Sequence, residues 1–242
     1  SVQQSIPIKR IYKDGIWQVG RKHSKTWRFA DINYEAASDD DRRSIFLSYG
    51  GVLNSLPTDA AAKITICNQR LNPVDFERTI LMRERGDKLD CYRKEYNQIL
   101  LDKMAQSNNL VQEKFITLSI AQRKIEDTRA YFRRVDGGLA KSFGRLDSGA
   151  RPISNYDRLR ILHDFFRPGE EQYFTFDAVE TVRKGMDFRD LICPDSLTFK
   201  AGHFEMGGKV GRVLFLKDLA SFLKDDMIAE LSDFSRNLML SI

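Results

Sequence analysis

Cysteine is sparse in this chain, with 3 in 242 residues: Cys67, Cys91 and Cys193. Odd in number and far apart, they form neither a disulfide framework nor a Cys-pair zinc site, and reduced, mostly buried thiols are expected. No run of about 18 apolar residues occurs, so no helical membrane span is expected. The polar opening SVQQSIPIKR lacks the apolar core of a signal peptide, and the sequence predicts a soluble, cytoplasmic piece. Low-complexity tails and internal repeats are also missing. There is no block of one charge sign either. The 39 Lys+Arg face 34 Asp+Glu, a dispersed net +5, which permits an anionic partner without demanding one.

A complete nucleotide motif is missing as well. Gly202, Gly207, Gly208 and Lys209 almost spell a phosphate loop, in which backbone N–H groups cradle phosphates while a Lys and a Ser/Thr manage charge and magnesium. Aligned on Gly202, the pattern puts Gly208 where the lysine belongs. Aligned on Lys209, it puts His203 where the first glycine belongs and Val210 where the hydroxyl is needed. Gly207-Gly208 therefore reads as a hairpin turn between two core strands, Leu197 to Phe204 and Val210 to Leu216. His203 and Glu205 form an H-x-E, but the P-C-x-x-C partner of a zinc deaminase is missing, because Cys193-Pro194 runs in the reverse order. No catalytic, cofactor-binding or metal-ligating residue is assigned.

What is present is core material: 42% of the residues are hydrophobic, ample for one large domain or two small ones. Ile11 to Val19 and Lys25 to Ile32 read as strands, with Asp14-Gly15 as a tight turn. Between Lys9 and Arg28 stand seven basic residues, Lys9, Arg10, Lys13, Arg21, Lys22, Lys25 and Arg28, and one acid, Asp14. With Trp17 and Trp27 interleaved, this resembles a single-strand nucleic-acid platform; Arg10, Lys13, Trp17, Arg21, Lys22, Lys25, Trp27 and Arg28 are its candidate nucleic-acid or anion contacts. The favoured alternative is an edge hairpin whose charges blunt aggregation while its aromatics face the core.

Further along, Ser38 before Asp39, Asp40 and Asp41 reads as a helix cap with carboxylates at the positive end of the dipole. The helix face is Ile45, Phe46, Tyr49, Val52, Leu53 and Leu56, with Gly50-Gly51 suggesting close packing or a break. Lys63 to Cys67 is a short strand. Helical segments are expected after Asn72-Pro73, the clearest holding Leu89, Tyr92, Tyr96, Ile99, Leu100 and Met104 and ending at Ser107-Asn108-Asn109. Lys114 to Ala121 reads as a strand buried mainly on one face. A further helix carries Ile125, Phe132, Val135, Leu139 and Phe143.

Gly144 to Pro152 is the expected linker, dividing the chain into subdomains 1–145 and 153–242. Ser154 to Asp157 reads as a capping box opening a helix that ends at Pro168-Gly169. On it His163 precedes Asp164; since adjacent helical side chains point apart, a surface or half-buried structural histidine is expected. Asp225 to Leu231 reads as a short helix and Asn237 to Ile242 as an apolar strand. The sum is an α+β fold, with helices packed on a mixed, largely antiparallel sheet.

The segments FRPGEE (Phe166 to Glu171), GMDFRDLICPD (Gly185 to Asp195), GRVLFL (Gly211 to Leu216), IAEL (Ile228 to Leu231) and RNLMLSI (Arg236 to Ile242) resemble the N-terminal domain of a known family. It is the VirB/TraE/TrbE-type conjugation ATPases of type IV secretion systems, in the forms carried by conjugative elements of Gram-positive bacteria. The segments IKRIYKDGIWQV and DRRSIFLSYGGVLNSL are similar to these proteins too, so the resemblance spans nearly the whole chain. One departure is Ser235 before Arg236, where proline is usual.

The resemblance implies a non-catalytic docking and assembly domain at the inner face of the cell membrane. Its partners would be membrane-channel subunits of the conjugation machinery and further copies of the full-length protein. It also implies a longer parent chain after Ile242, whose RecA-like domain would bind ATP and magnesium. No cofactor is expected in the present stretch, and a single-strand nucleic-acid module is the rival reading.

Overall fold

The computed structural model describes residues 2–32, 37–70, 80–106, 110–121, 123–218, 222, 226–233 and 236–242. Its opening is a short helix α1 (Val2–Ser5) and an antiparallel meander of β1 (Ile8–Ile11), β2 (Trp17–Val19) and β3 (Lys22–Phe29). Asp14-Gly15 turns the chain between β1 and β2, with Gly15 at φ 78°, a left-handed value that side chains resist. Gly20, at φ 58°, and Arg21 join β2 to β3 in two residues. The meander therefore begins earlier than the sequence reading placed it, and the expected strand from Ile11 to Val19 is split by its own turn.

Helix α2 (Asp39–Asn54) starts where the cap signal lies, Ser38 accepting from the backbone N–H of Asp41. It runs straight through Gly50-Gly51. An added Cβ at either glycine would meet nothing within 4 Å, so neither the break nor the close packing expected there occurs. Strand β4 (Ala60–Arg70), helix α3 (Asp90–Gln106) and strand β5 (Leu110–Ala121) follow. Then come the long helix α4 (Ile125–Gly144), a short strand β6 (Ala150–Pro152) and helix α5 (Asn155–Phe166).

The last third is α6 (Ala178–Arg183), strands β7 (Leu197–Phe199), β8 (Phe204–Met206) and β9 (Lys209–Gly211), α7 (Asp226–Ser232) and β10 (Leu238–Ser241). Asn72-Pro73, Ser107 to Asn109 and the turn at Ser235 lie outside the described residues.

The main sheet runs β1-β2-β3-β5-β4-β10, and β6 pairs with β3 beside β2. Every pairing among the described residues is antiparallel, so the α+β reading holds, at the antiparallel limit of the sheet it named. β5 lies at the centre, pairing with β3 on one side and β4 on the other.

Side chains alternate across a pleated strand, and here both faces are covered. On one, Trp27, Ile116, Leu118 and Ile120 pack against Phe132, Val135, Leu139 and Phe143 of α4 and Val52 of α2. On the other, Ile8 and Trp17 pack against Leu159, Phe174 and Ile192, while Phe115 and Cys67 meet Ile153. Strand β5 is thus buried on both faces, where one face was expected. Each large apolar side chain buried in this way contributes about 1.5–3 kcal/mol before entropy is counted.

Gly144 to Pro152 does not hang free as a linker. Arg151 pairs with Arg28 and Ala150 with Phe29, Ser148 donates to the Ala30 carbonyl at 2.6 Å, and Leu146 is buried. Residues 1–145 and 153–242 share one sheet through β6 and β10, and one apolar cluster through Trp17 and Leu159. A polar residue that finds a strand partner reads like a loop residue in sequence, and this explains the miss.

Candidate docking surface

Trp17 and Trp27 are each 1% exposed, facing the interior, so neither is placed to stack on a base. The Trp17 indole N–H donates to Asn155 Oδ1 at 2.8 Å, and the Asn155 amide donates in turn to the Tyr12 carbonyl. On the opposite face, Asp136 of α4 accepts from Trp27 Nε1 and from Lys25 Nζ, both at 2.8 Å. Lys25 is therefore a buried structural cation, satisfied by one carboxylate that also orients an indole. Arg28 pairs with Glu113 at 2.9 Å. Of the eight contacts named from sequence, these four are engaged within the fold. Arg10, Lys13, Arg21 and Lys22 remain exposed on the hairpin edge.

Beside that edge, Lys9, Arg10, Tyr12, Gln18, His23, Arg123 and Ile125 line a polar recess. His23 is buried, and its Nδ1 lies 2.9 Å from Thr128 Oγ1. Since Thr128 gives its hydroxyl proton to the Lys124 carbonyl, the ring donates from Nδ1 and keeps its free lone pair on Nε2. That Nε2 has no partner among the described residues. Burial lowers the His23 pKa below its ordinary value, which favours the neutral ring.

The other histidines carry no assembled chemistry among the described residues. His163 is 4% exposed, not at the surface, and its Nδ1 lies 3.0 Å from Asp164 Oδ1. The expectation that these neighbours point apart therefore fails, and the His163 ring is held against Phe174 at 5.0 Å between centroids. Cys67 lies on the same side of the sheet, but burial pushes its thiol up to about 12, which leaves no thiolate to act as a nucleophile at neutral pH. His203 Nε2 and Glu205 stand 3.7 Å apart at the start of β8, and no metal-ligating group of three is present among the described residues.

Gly207 and Gly208 sit at φ 52° and 76° between paired Met206 and Lys209. Positive φ at both central residues marks a two-residue hairpin of type I′. The turn is as expected, but its strands are not core. Leu197 to Phe204 divides into β7 and β8. Val213 to Leu216 forms no strand, and Val213, Leu214, Phe215 and Leu216 are 81%, 88%, 83% and 72% exposed.

As α2 does at Phe46, Leu47 and Leu53, helix α3 carries exposed apolar side chains. It belongs to the long excursion between the paired strands β4 and β5. Asp90 accepts from the backbone N–H groups of Arg85 and Gly86 at the helix start, and Arg93 pairs with Asp87 and Asp90. These local contacts fix the entry turn. Leu89, Tyr92, Tyr96 and Ile99, spaced to share one helical face, are 57%, 65%, 47% and 47% exposed. The expected helix is present but its apolar and polar residues are not segregated onto two faces; Tyr92, Tyr96 and Ile99 stand open to solvent. Ile80 and Met82 are exposed in the turn just before it, where the Met82 backbone is pinned to the Asn97 side chain. Sequence periodicity marked the stripe; only the fold reveals that nothing in the described chain covers it.

No helix among the described residues is long and apolar enough to cross a membrane. No protein-family model and no curated protein matches this chain.

Proposed function

We propose that this chain is a non-catalytic docking and assembly domain of a conjugation-type secretion ATPase, joining the motor to membrane-channel subunits at the inner face of the membrane. The observation that carries the docking part is the exposed stripe Tyr92, Tyr96 and Ile99 on α3, with Leu89 in the turn just before it. An ordered helix with an uncovered apolar face is the form that helix-in-groove recognition takes. The assignment to conjugation rests on the segment resemblance alone. ATP and magnesium belong, on this reading, to a RecA-like domain further along the parent chain.

The test is DNA transfer by cells whose full-length protein carries Tyr92→Ser, Tyr96→Ser and Ile99→Ser. A fall of about tenfold or more at unchanged protein level is expected. Normal transfer would count against the docking role, and ATP hydrolysis by the present chain, lost in Lys209→Ala, would overturn the non-catalytic part.

The second reading is a single-strand nucleic-acid module. It draws on the exposed edge Arg10, Lys13, Arg21 and Lys22, and is weakened by the burial of both tryptophans. Oligonucleotide binding that falls steeply with salt, and falls again in Arg10→Ala/Lys22→Ala, would favour it. Unchanged oligonucleotide anisotropy at low salt would remove it.

A further inference from the structure

Between the second face of the sheet and helix α5 lies a cavity of about 580 Å³, within the range of about 300–1,000 Å³ that small-molecule sites occupy. Its walls are mostly apolar, with Ile8, Trp17, Ile153, Leu162, Ile192 and Met239 among them. Its floor is not. Lys63, Thr117 and Thr26 stand directly opposite one another on β4, β5 and β3, and all three line the cavity. The two threonine hydroxyls lie 2.8 Å apart, which leaves lone pairs for a third partner. Lys63 is exposed and stands at the open side.

The group that decides the chemistry is Arg158. Helix α5 directs it across the sheet, where its Nη1 donates to the Ser24 carbonyl at 3.2 Å and its Nη2 to Ser24 Oγ at 2.8 Å. Its guanidinium lies 4.2 Å from the Trp17 ring centroid. Those contacts use two of five N–H donors, and no carboxylate pairs with it among the described residues. Desolvation lowers its pKa to about 9, so it remains a cation at neutral pH. Arg158 is half-buried, and a cation that lines a mostly apolar cavity with no carboxylate paired to it among the described residues leaves a place for an anion.

We propose that this cavity binds an amphiphilic monoanion of the fatty-acid class, its acyl chain among the apolar walls and its carboxylate on Arg158, with Lys63 at the mouth. The charge pattern selects this ligand over a plain hydrocarbon, which would leave the guanidinium unpaired. It selects against a nucleotide as well, since the walls offer few polar groups to a base or a sugar. The inference stands apart from the docking role and does not depend on it.

The experiment is a titration of the chain with dodecanoate below its micelle concentration, read by calorimetry and by the emission of Trp17. Saturable binding at one site per chain is expected. Arg158→Gln should weaken dodecanoate by about tenfold or more, the usual scale for a lost charged hydrogen bond, and leave dodecan-1-ol unchanged. Leu162→Trp, which narrows the cavity, should weaken both. If Arg158→Gln does not fold by near-ultraviolet circular dichroism, Lys63→Met gives the same discrimination from an exposed position, with a smaller loss for dodecanoate and none for the alcohol. The proposal is overturned if the native chain shows no saturable binding, if Leu162→Trp binds both ligands as tightly as the native chain, or if neither charge substitution separates the acid from the alcohol. Association with anionic vesicles in place of free dodecanoate would likewise overturn it, as a surface rather than a cavity effect.

Discussion

Helices α3 and α4 lie on either side of β5 in the chain, and each carries a periodic apolar face, yet the two faces meet opposite fates. On α4, Phe132, Val135, Leu139 and Phe143 are between 1% and 8% exposed, while Leu89, Tyr92, Tyr96 and Ile99 at α3 are between 47% and 65%. The α4 face lies against a sheet whose own apolar residues need cover. The α3 face has no such partner among the described residues. Helical periodicity states that a face is apolar and says nothing about what meets it, so the comparison separates side chains that hold the fold from side chains left open to solvent.

The largest effect should follow from the α4 side. Phe132→Ala removes a ring packed on Trp27 and Tyr131 and should cost about 3–5 kcal/mol in chemical denaturation. Next, Asp136→Ala strands two interior donors, Lys25 Nζ and Trp27 Nε1. A loss of about 2–4 kcal/mol is expected, most of it the cost of an unpaired buried charge. Ser154→Ala breaks the capping box of α5 and should lower stability by about 1 kcal/mol. Tyr96→Ser on α3 should move stability by no more than about 0.5 kcal/mol; a loss on the scale of Phe132→Ala would dissolve the distinction between the helices.

Thiol chemistry sharpens the same contrast. Cys91 is exposed on α3, while Cys67 and Cys193 are buried. A thiol-specific reagent at pH 8 should label one cysteine of the folded chain quickly and three after unfolding. The raised pKa of Cys67 also fixes a sign. The unfolded thiol ionises near 9.0 and the folded one near 12, so this group's contribution is intact below pH 9 and is lost as pH rises from there toward 12.

Local signals in the sequence carried over to the fold well. The caps at Ser38 and Ser154 and the turns at Asp14-Gly15 and Gly207-Gly208 depend on residues close in sequence. Readings that needed a distant partner failed. Gly144 to Pro152 was a linker by composition, but its last three residues, Ala150–Pro152, pair with β3 along the edge beside β2. Val210 to Leu216 was a core strand by composition, but its second half pairs with no strand among the described residues. The tryptophans of the hairpin alternate with cations in a way that fits a nucleic-acid platform and a core strand equally, and the burial of both sheet faces selects the core. Arg158 gave no signal at all, since a cation on an amphipathic helix ordinarily points to water.

The central claim is that the α3 stripe is a docking face, and site-specific photo-crosslinking tests it most directly. A photoreactive side chain at position 96 of the full-length protein, in cells carrying the intact transfer machinery, should give an adduct with a channel subunit or with a second copy. The same group at Lys141, on the solvent side of α4, should give none. Equal labelling from both positions, or no adduct from position 96 in cells that transfer DNA normally, would contradict the account.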